Sequence, residues 1–128
     1  MASMYEVGTA AEVRAWHVMP GAPGPEGQLH THDYRLELVV ESSELRGQGW
    51  VCDLDVLNAA LGGVVSRVAG QDLEIIRPTG ADAVTVEIFA RWLYDELSAA
   101  VRDAGGEILG VRVWESPTAF GGFRAPVA

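Results

Sequence analysis

Hydrophobic and polar residues alternate along two stretches near the start of the chain, residues 4–18 and 30–42. Because successive side chains of a strand point to opposite faces, this alternation predicts two strands, each with one buried face. In the first stretch Val13, Ala15 and His17 share a face. In the second, one face carries His30, His32, Tyr34, Leu36 and Leu38. Residues 20–25 between them hold three prolines and two glycines, which predicts a loop.

Two longer stretches have apolar residues at helical spacing, and each follows a residue suited to capping a helix. Asp53 precedes the first, whose predicted apolar stripe is Leu54, Leu57, Leu61, Val64, Val65 and Val68. Gly62 and Gly63 would weaken this helix by up to about 1 kcal/mol each, so we expect a kink or close packing there. A loop over residues 69–84 then leads to Thr85, the predicted cap of a second helix that ends at residues 103–106.

The last part of the chain returns to alternation. A third strand is predicted over residues 107–115, with Leu109, Val111 and Val113 on one face, and a short fourth strand over residues 120–124. The resulting order, ββααββ, predicts a single α+β domain over residues 1–128, in which an antiparallel four-stranded sheet has two helices on one face. A chain of 128 residues is long enough for such a domain to bury roughly 70% of its unfolded surface.

Composition excludes several functions. Eighteen acidic residues against nine basic ones give a net charge of −9, which argues against nucleic acid as a partner because phosphate contacts need clustered Lys and Arg. The absence of lysine excludes a Schiff base, and the single Cys52 excludes a disulfide framework or a thiolate zinc cluster. No apolar run reaches the ~20 residues that cross a bilayer, and the N-terminus lacks a signal pattern. We therefore expect a soluble cytoplasmic protein that binds small molecules or protein partners.

The three histidines of the chain are candidates for a metal site. His30 and His32 lie two residues apart on one strand, and His17 lies on the neighbouring predicted strand. Three neutral imidazoles with a fourth position open to water or substrate suit catalytic zinc. The alternative is that His30 and His32 are ordinary strand residues and that His17 is a hydrogen-bonded core histidine. Spacing alone leaves both interpretations open.

Three further residues are candidates for catalysis or ligand binding. Glu26 precedes His30 by four residues, in a loop expected to fold over the metal, and could move a proton of a substrate hydroxyl; a solvated loop glutamate is the alternative. Glu115 continues the apolar row of the third strand, where an unpaired carboxylate is costly. It could accept two N–H groups of a heterocyclic ligand or instead reach water. Thr85 is explained by its capping position alone.

Five short motifs give the chain a resemblance to the 6-pyruvoyl-tetrahydropterin synthase and 6-carboxytetrahydropterin synthase family, which has the tunnelling fold. The family's first-strand Ala-Ala-His is matched by Ala15-Trp16-His17, and its Cys-x-x-x-His-Gly-His by residues 26–32. Its Gly-x-Val-x-Asp-Phe, its Pro-Thr-x-Glu-x-x-Ala-x-Trp and its Val-x-Glu-Thr are matched by residues 49–54, 84–92 and 113–116. Five short motifs in this order, at compatible spacing over nearly the whole chain, indicate the fold.

The resemblance implies a zinc ion bound by His17, His30 and His32, and a pterin-like ring held by Glu115 with help from Thr85. It also implies a homo-oligomer, commonly a homohexamer, whose subunits join their sheets into a ring with active sites between subunits. Closing such a ring would cover edge strands that a monomer leaves unpaired.

The chain departs from the family pattern at the residues that carry the usual reaction. Glu26 stands where the family has its catalytic cysteine, and the assisting Asp-His pair falls at Ala69 and Gly70, where neither member is present. Asp72 or Glu74 could substitute in part. A related subclass has glutamate in place of the cysteine and cleaves the dihydroneopterin side chain in a retro-aldol type reaction. The position of Glu26 resembles the arrangement of that subclass.

These observations give three hypotheses. The first is a zinc-dependent lyase acting on the side chain of a dihydropterin, with Glu26 as acid or base. The second is a repurposed enzyme of secondary metabolism that acts on a non-pterin carbonyl substrate, favoured by the lost Asp-His pair and by Thr31 in place of the family's glycine. The third is a catalytically inactive binding or scaffold protein that keeps the ring assembly.

Overall fold

Four strands form one antiparallel sheet in which their spatial order follows their order along the chain. The computed structural model describes residues 3–127. The strands are β1 (Tyr5–His17), β2 (His30–Ser42), β3 (Ile108–Trp114) and β4 (Phe120–Pro126). The helices are α1 (Leu54–Val68) and α2 (Val86–Asp103), and both follow β2. The predicted α+β class, antiparallel sheet and ββααββ order are therefore confirmed.

The register of the sheet places two of the histidines opposite each other on neighbouring strands. In the β1–β2 pair, His17 lies opposite His30 and Ala15 lies opposite His32. The β2–β3 pair begins further along, where Arg35 lies opposite Trp114. Residues 30–34 therefore have β1 on one side and no strand of the described chain on the other.

The core lies between one face of the sheet and the two helices. Residues of like parity are buried along each central strand, as the alternation predicted. Helix α1 packs over β1, and α2 packs over β3 and β4. The sheet contributes Val13, Ala15, Tyr34, Leu36, Leu38, Val40, Leu109, Val111 and Val113 to this core. His17 belongs to the same buried face, at the end of β1.

Both helices begin at the predicted caps. The Asp53 carboxylate accepts a hydrogen bond from the Asp55 amide at 2.8 Å, and the Thr85 hydroxyl accepts one from the Ile88 amide at 3.2 Å. The expectation that Leu54 belongs to the buried stripe of α1 is wrong, because this first helical residue is 41% exposed and borders a surface cavity.

The expected close packing at the two glycines of α1 is also absent. A Cβ added at Gly62 or Gly63 would meet no atom of the described residues within 4 Å, and both are exposed. Helix α1 runs through them without interruption, because its buried stripe lies on the other side.

The remaining differences concern boundaries and loops. Strand β4 extends two residues beyond the predicted residue 124, to Pro126. Short 3-10 turns occupy Gly24–Gly27 and Leu73–Ile76 within the predicted loops. None of the helices in residues 3–127 is both long and apolar enough to span a membrane.

Candidate metal centre

Three histidines and one glutamate converge where β1 ends and β2 begins. The residues are His17, Glu26, His30 and His32, and each offers one ligand atom within 4.8 Å of the others. Strand register explains the convergence, since His17 is paired with His30 and His32 lies two residues further along the same face. The loop between the strands returns Glu26 to the same place.

Hydrogen bonding fixes the orientation of His30. Its Nδ1 lies 2.7 Å from the Gln28 carbonyl oxygen, which can only accept, so Nδ1 carries the proton and Nε2 keeps a free lone pair in the neutral ring. That Nε2 lies 2.9 Å from Nε2 of His32 and 3.5 Å from Oε2 of Glu26. A backbone carbonyl on the distal nitrogen is the arrangement that commonly orients a metal-binding histidine. Because the partner is a main-chain atom, no residue pattern could have predicted it.

His17 is the most deeply buried member of the cluster, with 6% of its surface exposed. Within residues 3–127, neither ring nitrogen has a partner in hydrogen-bonding geometry. Burial lowers the pKa of His17, and the neighbouring imidazoles of His30 and His32 lower it further; the Val84 carbonyl opposes this. The imidazole is therefore held in the neutral form that a metal requires.

The donor set fits zinc. Buried imidazole nitrogens without partners are costly unless something binds them, and three neutral histidines are a known catalytic zinc set. Bonds of about 2.0–2.1 Å in tetrahedral geometry separate ligand nitrogens by roughly 3.3 Å, so the 2.9 Å contact between His30 and His32 needs only a small opening.

The loop that carries Glu26 is held by its own backbone. The Met19 amide donates to the Glu26 carbonyl at 2.8 Å, and the Gln28 amide donates to the Pro25 carbonyl at 3.1 Å. A Cβ added at Gly27 would lie 2.2 Å from the Ala22 carbonyl oxygen, so only glycine fits there. The Glu26 side chain is 54% exposed and reaches the histidines from the solvent side.

A row of aromatic rings supports the cluster from the core side. The Tyr34 ring lies 5.4 Å from the His32 ring and 5.4 Å from the Phe89 ring, both edge to face. Burial raises the pKa of Tyr34, and the charges of Glu115 and Glu26 raise it further. The sequence alone indicates only that Tyr34 shares a strand face with His32, and this parity is the signal that places its ring beside the cluster.

Glu115 and His32 line the same cavity. It has a volume of about 670 Å³ and lies beside the part of β2 that extends past the end of β3. Glu115 is half-buried, and its amide donates to the Ala119 carbonyl at 3.0 Å in the turn before β4. Thr85 lies at the start of α2 as a helix cap and is not part of this cavity wall.

The two carboxylates considered as substitutes for the Asp-His pair have local partners. Asp72 accepts from the Glu74 amide at 3.0 Å, and Glu74 pairs with Arg77 at 2.6 Å. The loop itself is attached to β1, since the Trp16 amide donates to the Gln71 carbonyl at 2.8 Å. Both carboxylates thus hold the turn that follows α1.

The comparisons with known proteins agree on one family. The sequence model of the family described as 6-pyruvoyl tetrahydropterin synthase matches residues 6–126. No curated protein matches the sequence significantly.

Solved structures resemble the whole chain. The 6-pyruvoyl tetrahydropterin synthase of Plasmodium falciparum has a TM-score of 0.76 and 15% identity, over 97% of this chain and 99% of that one. The Plasmodium vivax protein has a TM-score of 0.74 and 14% identity, over 97% of this chain and 99% of that one. The Caenorhabditis elegans protein has a TM-score of 0.71 and 17% identity, over 97% of this chain and 96% of that one. Two further P. vivax structures are variants in which a catalytic glutamate is replaced by alanine or cysteine. The predicted tunnelling fold is confirmed.

Proposed function

Because the chain belongs to the 6-pyruvoyl tetrahydropterin synthase family, we propose that it is a zinc-dependent lyase acting on the side chain of a dihydropterin. The observation that carries the proposal is the convergence of His17, His30, His32 and Glu26 within 4.8 Å. The family and the fold support a lyase of the pterin-synthase type, and the cluster supplies the groups that such a reaction needs.

The three histidines are the proposed zinc ligands. The unpartnered nitrogens of buried His17 and the fixed orientation of His30 support this assignment. A bound Zn²⁺ would supply Lewis acidity toward an oxygen of the substrate side chain. Proton transfer and binding of the ring are assigned to residues of the chain.

Glu26 is the proposed acid and base. It would take the proton from the hydroxyl on the second side-chain carbon, whereupon the bond between the first and second carbons breaks and a small aldehyde leaves. The released electron pair enters the C=N bond of the ring, and the same proton then goes to the first carbon. Glu26 ends in its original state. The catalytic glutamate of the P. vivax protein supports this role.

Glu115 is the proposed anchor of the ring, with help from Thr85. A carboxylate can accept from two parallel N–H groups, which is the donor pattern of a pterin edge. The cavity of about 670 Å³ that Glu115 shares with His32 lies in the size range of small-molecule sites. The Thr85 hydroxyl accepts from the Ile88 amide and still has its own proton to donate.

A homo-oligomer, by resemblance a homohexamer, is the proposed working state. In the isolated chain the outer edges of β1 and β4 have no neighbouring strand among the described residues, and residues 30–34 of β2 have a strand on one side only. A neighbouring copy would cover such edges and close the cavity beside Glu115.

The test is Glu26→Gln, which keeps the size of the side chain and removes its ability to take a proton. We expect turnover of 7,8-dihydroneopterin to fall by at least about 100-fold while zinc stays bound. The matched control is Glu44→Gln, an exposed loop glutamate beyond the other end of β2. Full activity of Glu26→Gln with zinc in place would refute the role of Glu26.

A non-pterin carbonyl substrate is the second candidate. It is favoured by the loop after α1, where Ala69 and Gly70 stand in place of the family's Asp-His pair and the Gly70 amide donates to the Arg14 carbonyl at 2.8 Å. A pterin enzyme gains thermal stability from pterins by mass action. If no pterin raises the melting temperature of the zinc-loaded protein, the second candidate is favoured.

A further inference from the structure

The main chain near the end of β1 points in directions that two hydrogen bonds reveal. The Trp16 amide donates at 2.8 Å to the loop after α1, and the Arg14 carbonyl accepts at 2.8 Å from the same loop. Both groups therefore point away from β2. In an antiparallel sheet the N–H and C=O of one residue point to the same side of the strand, and the side alternates between residues. Ala15, between them, must therefore bond to β2, where it lies opposite His32.

The same alternation leaves main-chain groups of β2 unused. Because the main chain of His32 is bonded to β1, its neighbours Thr31 and Asp33 present their N–H and C=O groups to the opposite side. The Glu41 carbonyl, eight residues beyond Asp33, accepts from the Glu107 amide at 2.9 Å, so odd-numbered residues of β2 do face β3. At Thr31 and Asp33 the ladder to β3 has not yet begun. Their main-chain groups therefore have no partner strand among residues 3–127.

These free groups border the cavity between the metal centre and the proposed ring anchor. Thr31 and Asp33 both line it, together with Glu115, which follows β3. Asp33 is the nearer of the two to Glu115 along β2, because the ladder to β3 begins at Arg35. The Asp33 side chain accepts two hydrogen bonds from Arg14, at 2.7 and 2.9 Å, on the sheet face that the helices leave uncovered. Its main chain is what Asp33 offers at the edge of the cavity.

We propose that the main chain of Asp33 binds the N1 and N8–H edge of a 7,8-dihydropterin and so selects the reduced ring over the oxidised one. The inference rests on the proposed function, in which Glu115 binds the neighbouring edge of the ring. A free strand residue offers one donor and one acceptor side by side. In a 7,8-dihydropterin N1 accepts and N8–H donates, which is the matching pattern. In an oxidised pterin N8 is an acceptor, so it would face the Asp33 carbonyl oxygen.

The length of the free stretch favours a ring over a strand of another copy. Only Thr31 and Asp33 have free main-chain groups here, whereas β1 has thirteen residues and β4 has seven. Strands of globular proteins have about 5–6 residues on average, which the edges of β1 and β4 can accommodate. A second copy is expected to pair with those longer edges, and Asp33 then remains available to the ring inside the closed cavity.

The test compares two pterins that have no side-chain bond to cleave, 6-methyl-7,8-dihydropterin and 6-methylpterin, on the zinc-loaded protein. We expect the Kd of the oxidised compound to be higher by at least about tenfold, because it loses one hydrogen bond and places two acceptors against each other. Calorimetric titration without oxygen, which keeps the dihydro compound reduced, measures both values. Equal Kd values, or tighter binding of the oxidised compound, would overturn the inference.

A pair of substitutions at Asp33 isolates its main-chain donor. Asp33→Ala and Asp33→Pro both remove the ion pair with Arg14, but only proline removes the N–H. Proline is tolerated in a sheet where the N–H has no partner strand, so both variants should fold and bind zinc. Asp33→Pro should bind each methylpterin about tenfold more weakly than Asp33→Ala, because the hydrogen bond to N1 is lost in both ring states.

The outcomes separate this inference from the function on which it rests. Equal affinities of the two Asp33 variants, or loss of zinc from Asp33→Pro alone, would refute the assignment of a free N–H to this residue. If the methylpterins bind wild type equally well and 7,8-dihydroneopterin is cleaved, the inference is wrong and the lyase stands. If neither methylpterin binds the zinc-loaded wild type, the proposed substrate class fails and the inference fails with it.

Discussion

The buried imidazole of His17 allows a prediction whose sign separates a metal ligand from a structural histidine. His17→Leu replaces the imidazole by an apolar side chain of similar volume, and so removes two ring nitrogens that have no partner among the described residues. Leaving a buried polar group unpaired costs about 1–3 kcal/mol. We therefore expect the metal-free variant to be more stable than metal-free wild type, by up to about 3 kcal/mol.

The measurement is thermal unfolding in the presence of a chelator and again with added zinc. At roughly 4 °C per kcal/mol for a chain of this size, the variant should melt up to about 12 °C higher in chelator. Zinc at about 100 times its Kd should raise wild-type stability by about 2.7 kcal/mol and should raise that of the variant much less. When zinc is added, the melting temperature of wild type is therefore expected to approach or exceed that of His17→Leu.

The same substitution at another proposed ligand provides the control. His30 donates from Nδ1 to the Gln28 carbonyl at 2.7 Å, so His30→Leu loses a hydrogen bond that is already made. This variant should lose the stabilisation by zinc, and it should not be more stable than wild type in chelator. If His17→Leu is clearly less stable than wild type in chelator, His17 is satisfied in solution and the reasoning from its unpaired nitrogens is wrong.

Two further predictions concern the loops. Gly27→Ala should lower kcat by about 10- to 100-fold without releasing zinc, because the added Cβ would displace the loop that positions Glu26. Steady-state kinetics together with metal analysis of the variant test this, and an unchanged kcat would contradict it. Hydrogen bonds from Ser43 lower the pKa of Glu107 from its ordinary 4.5, so the stability contributed by this carboxylate is present above pH 4.5 and is lost as pH falls through the lowered pKa. The difference in Tm between wild type and Glu107→Gln should therefore shrink on acidification, and a difference that is constant with pH would refute it.

The sheet could be predicted because alternation depends only on neighbouring residues. The parity of Val13, Ala15 and His17, and of His32 and Tyr34, follows from strand geometry, and burial confirms it. The register that pairs His17 with His30 could not be derived this way, since it depends on how the intervening loop closes. The positions of the three histidines made His17 a candidate third ligand, and the resemblance to a family favoured that assignment.

The chemistry of the cavity was less accessible from the sequence. The charge of −9 indicated an acidic protein but not which carboxylates pair with the nine arginines. Whether an arginine is available to a ligand depends on its partner, and the pairing of Arg14 with Asp33 joins two strands. Likewise, Leu54 fits a helical stripe by spacing but lies at the first turn, where helix α1 does not yet cover the sheet. These properties depend on tertiary placement.

The central claim is that this metal centre cleaves the side chain of a dihydropterin. Its most direct test is to incubate zinc-loaded wild-type protein with 7,8-dihydroneopterin and identify the products by mass spectrometry, beside a chelator-treated sample. We predict a ring product with a one-carbon side chain and a released aldehyde in the zinc-loaded sample alone. Unchanged substrate with one zinc ion bound per chain would contradict the claim.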